Sequence, residues 1–148
     1  MSVGIYIHVP FCLRKCPYCD FYSVTFREES ADSYTDAVLR AVDYAPETEM
    51  VLDSIYFGGG TPVLLGPERL LRICDAVRKK FCVSEDCEIT LEANPAAMTL
   101  EALCKLREGG FNRISIGVQS AVDEQLKALA YPDDDKLPEP DHSAESES

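Results

Sequence analysis

Residues 3 to 9 alternate, with Val3, Ile5, Ile7 and Val9 on one face and Tyr6 and His8 on the other, which predicts a half-buried strand. From Ala31, the residues Tyr34, Ala37, Val38, Ala41 and Val42 recur at helical spacing, and Pro46 lies just beyond the end of the run. The alternation between the two periods then continues. Ser54-Ile-Tyr-Phe57 is a short strand running into Gly58-Gly59-Gly60-Thr61-Pro62, and Pro67 and Glu68 open a helix whose Leu70, Ile73, Cys74 and Val77 share a face. Glu88 to Ala93 alternates as a strand, and Thr99 is placed to N-cap a helix to Glu108 that Gly109-Gly110 stops. Arg113 to Gln119 is a fourth strand, followed by a shorter helix from about Asp123 to Ala130. Four βα units in succession predict an α/β fold with a parallel sheet and right-handed crossovers.

The second face of these strands narrows the architecture. Opposite the aliphatic residues lie Tyr6 and His8 in the first strand, Glu88, Thr90 and Glu92 in the third, and Arg113, Ser115, Gly117 and Gln119 in the fourth. A doubly wound sheet with helices on both sides would have two apolar faces. One polar face fits a partial (βα) barrel of about four parallel units with a site inside it; an open sheet with one wet face is the alternative.

At 148 residues and 46% hydrophobic content the chain can build one domain with a core, here residues 1–130. No run reaches the length of a membrane helix, and the N-terminus lacks a basic leader, so a cytoplasmic protein without membrane insertion is expected. The formal net charge of −12 disfavours nucleic acid or anionic lipid as partners. Half of that excess falls in residues 131–148, where seven acidic side chains meet one lysine with three prolines and no periodicity. Such a segment cannot bury enough apolar area to offset chain entropy and reads as a disordered acidic tail.

Seven cysteines, an odd number, point to thiols in a reducing compartment and to metal binding or catalysis. Cys12, Cys16 and Cys19 have the spacing C-x3-C-x2-C. Three thiolates from one loop would leave one iron of a four-iron cluster open to a ligand. Two other chemistries use the same residues. Cys16-Pro17-Tyr18-Cys19 is the tetrad of a glutaredoxin-like dithiol oxidoreductase, and His8 with the three cysteines would make four ligands for a zinc-binding interaction module. Cys74 and Cys104 fall on apolar helix faces as small hydrophobes, while Cys82 and Cys87 bracket an expected turn.

The glycine run ends the second strand, where a barrel keeps its ligands, and glycines there allow close approach of backbone groups. Thr61 adds a hydroxyl, and Glu92 and Gln119 end the next two strands. Four consecutive strands thus deliver Cys, Gly, Glu and Gln to one rim.

Tyr6-Ile-His-Val-Pro-Phe-Cys12, the cysteine loop with Tyr18, Gly58-Gly-Gly-Thr-Pro62, Glu92-Ala-Asn-Pro95 and Phe111-Asn-Arg-Ile-Ser-Ile-Gly-Val-Gln119 together resemble the N-terminal part of the radical S-adenosylmethionine (radical SAM) family. The resemblance is narrowest to the branch of oxygen-independent coproporphyrinogen III oxidase and its haem-chaperone relatives. Asp20-Phe21 after the third cysteine favours the haem-chaperone side. It implies a truncated radical SAM barrel in which Cys12, Cys16 and Cys19 hold a [4Fe-4S] cluster. It implies contacts to S-adenosyl-L-methionine from Tyr6, Tyr18, Gly59, Gly60, Thr61, Glu92 and Gln119, and reductive cleavage of that cofactor to a 5′-deoxyadenosyl radical in porphyrin and haem metabolism. Haem or a porphyrinogen, and an electron donor such as flavodoxin or ferredoxin, are the implied partners.

The sequence also departs from the family pattern. Where the family continues Leu-Gly-Arg-x-His-Ser-Ala-Glu, the chain reads Leu129-Ala-Tyr131-Pro-Asp133, with Tyr131 in place of an arginine that contacts the cofactor. His142-Ser-Ala-Glu145 echoes the end of that motif about ten residues late. The resemblance therefore implies an N-terminal fragment, oxidoreductase or haem chaperone by family but incomplete for catalysis.

Overall fold

The computed structural model describes residues 2–16, 18–94, 98–122 and 124–125. The acidic tail expected over residues 131–148, and most of the helix expected before it, lie outside the described residues. The chain divides into two compact units: Met1–Lys15 with Asp20–Gly117, and Cys16–Cys19 with Val118–Ser148.

In the first unit, strands β1 (Ser2–Val9), β4 (Val51–Gly59), β5 (Val83–Ala93) and β6 (Arg113–Ile116) form one parallel sheet in that order. Helices α1 (Glu28–Tyr44), α2 (Gly66–Lys80) and α3 (Leu100–Glu108) connect neighbouring strands. Two short strands, β2 (Phe11–Cys12) and β3 (Val24–Thr25), pair with each other apart from the main sheet. This is the α/β partial barrel that the alternation predicts. No helix among the described residues is long and apolar enough to cross a membrane.

The core lies on the aliphatic face. Ile7, Val9, Ile55, Phe57, Ile89 and Leu91 are buried there against Leu70, Ile73, Cys74 and Val77 of α2 and Leu106 of α3. Each such side chain contributes roughly 1.5–3 kcal/mol by leaving water. Leu52 and Ile55 are both buried although three apart, because the register skips Asp53; that bulge resets the parity of β4. Helix α1 is turned relative to its expected stripe. Ala31 and Thr35 are buried and Tyr34, Val38 and Val42 pack against the core, whereas Ala37 and Ala41 face out. The Thr35 hydroxyl is satisfied by the Ala31 carbonyl at 2.7 Å.

Several boundaries differ from the sequence reading. Strand β4 runs through Gly59, and a 3-10 turn over Pro62–Leu65 precedes α2. Strand β5 begins at Val83, so Cys82 and Cys87 do not bracket a turn; Cys82 is exposed and Cys87 buried. Cys104 is exposed and not part of an apolar helix face. Thr99 does cap α3, accepting from the Ala102 N–H at 3.2 Å. Asn112, in the turn between α3 and β6, ties that turn back to β5. Its Oδ1 accepts from the Ile89 N–H at 2.8 Å and its Nδ2 donates to the Cys87 carbonyl at 2.9 Å, reproducing a strand's hydrogen bonds with a side chain.

Candidate functional site

Parallel register aligns the polar face in rows. Tyr6 pairs with Tyr56, Tyr56 with Thr90, and Thr90 with Arg113; one step along, His8 pairs with Gly58 and Glu92 with Ser115. The first row is closed at its far side by charge: Arg113 donates to Glu88 at 3.1 Å and to Thr90 at 3.4 Å. The second row lies nearer the carboxyl ends of the strands, where the candidate ligand residues gather.

Beyond β1 the chain continues into a clasp. Val24 N–H donates to the Pro10 carbonyl at 2.7 Å and Phe26 N–H to the Cys12 carbonyl at 2.9 Å, closing the cysteine loop at its base. Phe11 fills that base, meeting Phe26 and Tyr34 edge to face at 5.8 and 5.5 Å. Tyr34 of α1 also donates to the His8 carbonyl at 2.6 Å. Burial, and then the neighbouring Tyr6, push its phenol up to about 12.

The glycine run holds this clasp from the other side. Gly60 N–H donates to the Val9 carbonyl at 2.8 Å and Thr61 N–H to the Phe11 carbonyl at 2.6 Å, while the Thr61 hydroxyl faces Cys12 Sγ at 3.8 Å. A Cβ on Gly60 would lie 2.5 Å from the Phe11 oxygen and 3.0 Å from Cys12 Sγ. Gly59 adopts φ +114°, a conformation that favours glycine. The sequence reading offered the glycine backbone groups and the Thr61 hydroxyl to a ligand; in the structure the N–H groups of Gly59, Gly60 and Thr61 are all bonded within the fold.

Glu92 receives one of these bonds and a second from a side chain. Tyr56 O–H donates to Oε1 at 2.7 Å and Gly59 N–H to Oε2 at 3.0 Å. Tyr6, more than half exposed, stacks on Tyr56 with ring centres 5.9 Å apart. Its phenol titrates above the usual tyrosine range through burial and the Glu92 charge, and Tyr56 is raised first by its hydrogen bond to Glu92.

His8 Nε2 faces the Tyr22 carbonyl at 3.1 Å and must donate to it, so Nδ1, 3.2 Å from the Tyr6 hydroxyl, is the acceptor. Both nitrogens are engaged, so binding zinc through the imidazole would require breaking one of these bonds. The zinc alternative thus lacks a ready fourth ligand. The dithiol alternative fails on a different point: a glutaredoxin-like tetrad opens a helix, and the helix after Cys19 begins only at Glu28.

The second unit carries Cys16, Tyr18, Cys19 and Gln119. Cys19 N–H closes a turn on the Cys16 carbonyl at 3.0 Å. The Tyr18 phenol, hydrogen-bonded to the Cys16 side chain, titrates above its ordinary range. Strand β6 ends at Ile116, so Gln119, expected as the last residue of a strand, is an exposed residue beyond it. Its neighbour Ser120 donates to Gln125 Oε1 at 2.6 Å and accepts from the Val122 N–H.

Tyr6, Gly59, Gly60, Thr61, Glu92 and Cys12 therefore belong to the first unit and the other candidates to the second. Among the described residues no three His, Cys, Asp or Glu side chains form a ready metal site. The donor chemistry still suits an iron–sulfur cluster. All three motif cysteines are free thiols, Cys12 and Cys19 half-buried and Cys16 exposed, and the backbone is kept clear beside Cys12 by the absence of a Cβ on Gly60. Sequence reasoning missed Tyr56, Tyr22 and Tyr34. Tyr56 was within reach: Ser54, Tyr56 and Gly58 alternate with Ile55 and Phe57, so the polar face of β4 was written in the sequence.

A family model described as "Radical SAM superfamily" matches residues 6–136. The chain is 41% identical to the haem chaperone HemW of Escherichia coli strain K12 over 132 residues, 86% of this chain and 34% of that protein. It is 35% identical to anaerobilin synthase of Escherichia coli O157:H7, over 88% of this chain and 30% of that one. Among solved structures, coproporphyrinogen III oxidase (HemN) from Escherichia coli, described as a radical SAM enzyme, superposes with a TM-score of 0.78 at 32% identity, over 86% of this chain and 30% of that chain. The chain thus spans about a third of the length of these relatives.

Proposed function

The chain belongs to the radical SAM superfamily, and from that premise we propose that it holds a [4Fe-4S] cluster through Cys12, Cys16 and Cys19 and binds S-adenosylmethionine beside it. The observation that carries the reading is that Gly59 to Thr61 and Glu92 lie at the carboxyl ends of neighbouring strands, with Tyr6 on the same polar face and Thr61 against Cys12. When bound, the cluster and cofactor would supply one-electron reductive cleavage of a sulfonium C–S bond, giving methionine and a 5′-deoxyadenosyl radical, with the electron coming from a donor such as flavodoxin or ferredoxin.

The residues have separate tasks. Phe11 and Tyr34 fix the base of the cysteine loop, Thr61 orients Cys12, and Glu92 presents a carboxylate to an ammonium or to ribose hydroxyls. Tyr6 offers an exposed aromatic face, and Tyr18, Gly59, Gly60 and Gln119 complete the cofactor contacts. Seven free thiols suit a reducing, cytoplasmic setting. We assign residues 1–130 to the cofactor-binding core and residues 131–148 to an acidic tail. Because the matched relatives are much longer, the proposal stops at cluster assembly and cofactor binding, with haem or a porphyrinogen as the ligand class that the named relatives suggest.

Anaerobic reconstitution with iron and sulfide tests it. The wild type should develop broad thiolate-to-iron absorption, and Cys12→Ser, Cys16→Ser and Cys19→Ser should each abolish it. A chain that takes up no iron, or keeps its cluster without Cys12, would sink the proposal.

A further inference from the structure

Tyr56 lies on the polar face of β4, between Tyr6 of β1 and Thr90 of β5, and contributes nothing to the aliphatic core. Its hydroxyl and the Gly59 N–H hold the two oxygens of Glu92 separately, at 2.7 and 3.0 Å. Two donors on two oxygens fix both the position of a carboxylate and the rotation of its plane. The ring of Tyr56 meanwhile lies 28° from parallel with Tyr6. Gly58 makes this grouping possible. A Cβ there would sit 2.8 Å from Tyr56, 2.9 Å from Tyr6 and 3.0 Å from Glu92 Oε2, so the two rings and the carboxylate share the space that the glycine leaves open.

We propose that Tyr56 is a positioning residue for cofactor binding, which orients the Glu92 carboxylate through its hydroxyl and sets the face of Tyr6 through its ring. The inference rests on the reading of Glu92 and Tyr6 as S-adenosylmethionine contacts. Neither the sheet nor the core needs the Tyr56 hydroxyl. Its geometry is explained by what it does to Glu92: a carboxylate held by one donor could rotate about its side chain, and a ligand would have to pay the entropy of stopping it.

Two measurements on the full chain test the role. First, S-adenosylmethionine is titrated calorimetrically into anaerobically reconstituted wild type, Tyr56→Phe, Glu92→Gln and the double variant. Tyr56→Phe keeps the stacked ring and should weaken binding about tenfold, or about 1.4 kcal/mol. In the Glu92→Gln background the same substitution should add less than about twofold, since its target is gone. Second, tyrosines labelled at 13Cζ are titrated without cofactor, the Tyr56 resonance being the one lost in Tyr56→Phe. Its phenol should titrate above the ordinary range in the wild type and fall in Glu92→Gln, where Arg113 and Ser115, which act in the opposite direction, remain.

Failure of the wild type to bind the cofactor refutes the parent reading and this role with it. Binding by the wild type that Tyr56→Phe leaves unchanged, or that loses as much in the Glu92→Gln background, overturns the positioning role alone. So does a Tyr56 titration indifferent to Glu92→Gln.

Discussion

Gly60→Ala puts the strongest local demand on the clasp. The added Cβ would stand 2.5 Å from the Phe11 oxygen, and real Cβ atoms essentially never come closer than 3.0 Å, so the two segments must separate by at least about 0.5 Å. The nearer of the two neighbours is not a flexible side-chain end. One is the backbone of Phe11, buried between Phe26 and Tyr34, and the other is Cys12 Sγ. Separation stretches the bonds from Gly60 to Val9 and from Thr61 to Phe11. Overpacking of this kind costs roughly 1–3 kcal/mol, and weakening one or two hydrogen bonds adds about 1 kcal/mol. The expected loss is therefore about 2–4 kcal/mol, which for a urea slope of about 2 kcal/mol/M lowers the midpoint by about 1–2 M.

Urea unfolding of the cluster-free chain measures the stability, and iron content after anaerobic reconstitution measures the effect on Cys12. Gly66→Ala is the control. Its site has φ +77° and nothing within 4 Å, so it should cost only the backbone strain, roughly 1–3 kcal/mol, and leave iron uptake intact. A Gly60→Ala chain with the wild-type midpoint and full iron content would refute the argument, because the clasp would then have slack that the contacts do not allow.

Two further outcomes concern stability. The raised Tyr34 pKa means that the folded chain holds this proton more tightly than the unfolded chain, so its contribution is complete below about pH 10 and is lost as pH rises through about 12. Discounted for partial exposure the loss is roughly 1–2 kcal/mol; alkaline thermal melts should show it in the wild type and not in Tyr34→Phe. Asn112→Leu leaves the Ile89 N–H and the Cys87 carbonyl without their partner and should lower the urea midpoint by an amount equivalent to about 1–2 kcal/mol, whereas Asn112→Asp should keep only the first of the two bonds.

The strands were legible in the sequence because their two faces differ. Val3, Ile5 and Ile7 against Tyr6 and His8, and Ile89 and Leu91 against Glu88, Thr90 and Glu92, specify both period and orientation, and the sheet follows them. Where the period is broken the sequence misled. The bulge at Asp53 shifts the parity of β4 so that Leu52 is buried three residues before Ile55, and α1 buries Ala31 and Thr35 while Ala37 and Ala41 of the expected stripe face out. A threonine reads as polar until its hydroxyl is seen bonded to its own helix. The sequence offers candidate residues but not the bonds between them, since no periodicity announces that Asn112 substitutes for a strand or that both nitrogens of His8 are hydrogen-bonded.

Those connections change what each candidate residue means. Gly59 was read as a place for a ligand to come close, yet its N–H holds Glu92; Thr61 was read as a ligand hydroxyl, yet its backbone holds Phe11 and its side chain faces Cys12. A residue that positions a second candidate contact cannot be removed alone. Substitutions at Gly59, Tyr56 and Glu92 should accordingly fall short of additivity in cofactor affinity, as should those at Thr61 and Cys12 in iron uptake. Pairs drawn one from each set share no bond in the structure and should add. The first unit thus carries two small networks, one around a thiol and one around a carboxylate. They meet only where β4 ends, in the three residues Gly59, Gly60 and Thr61.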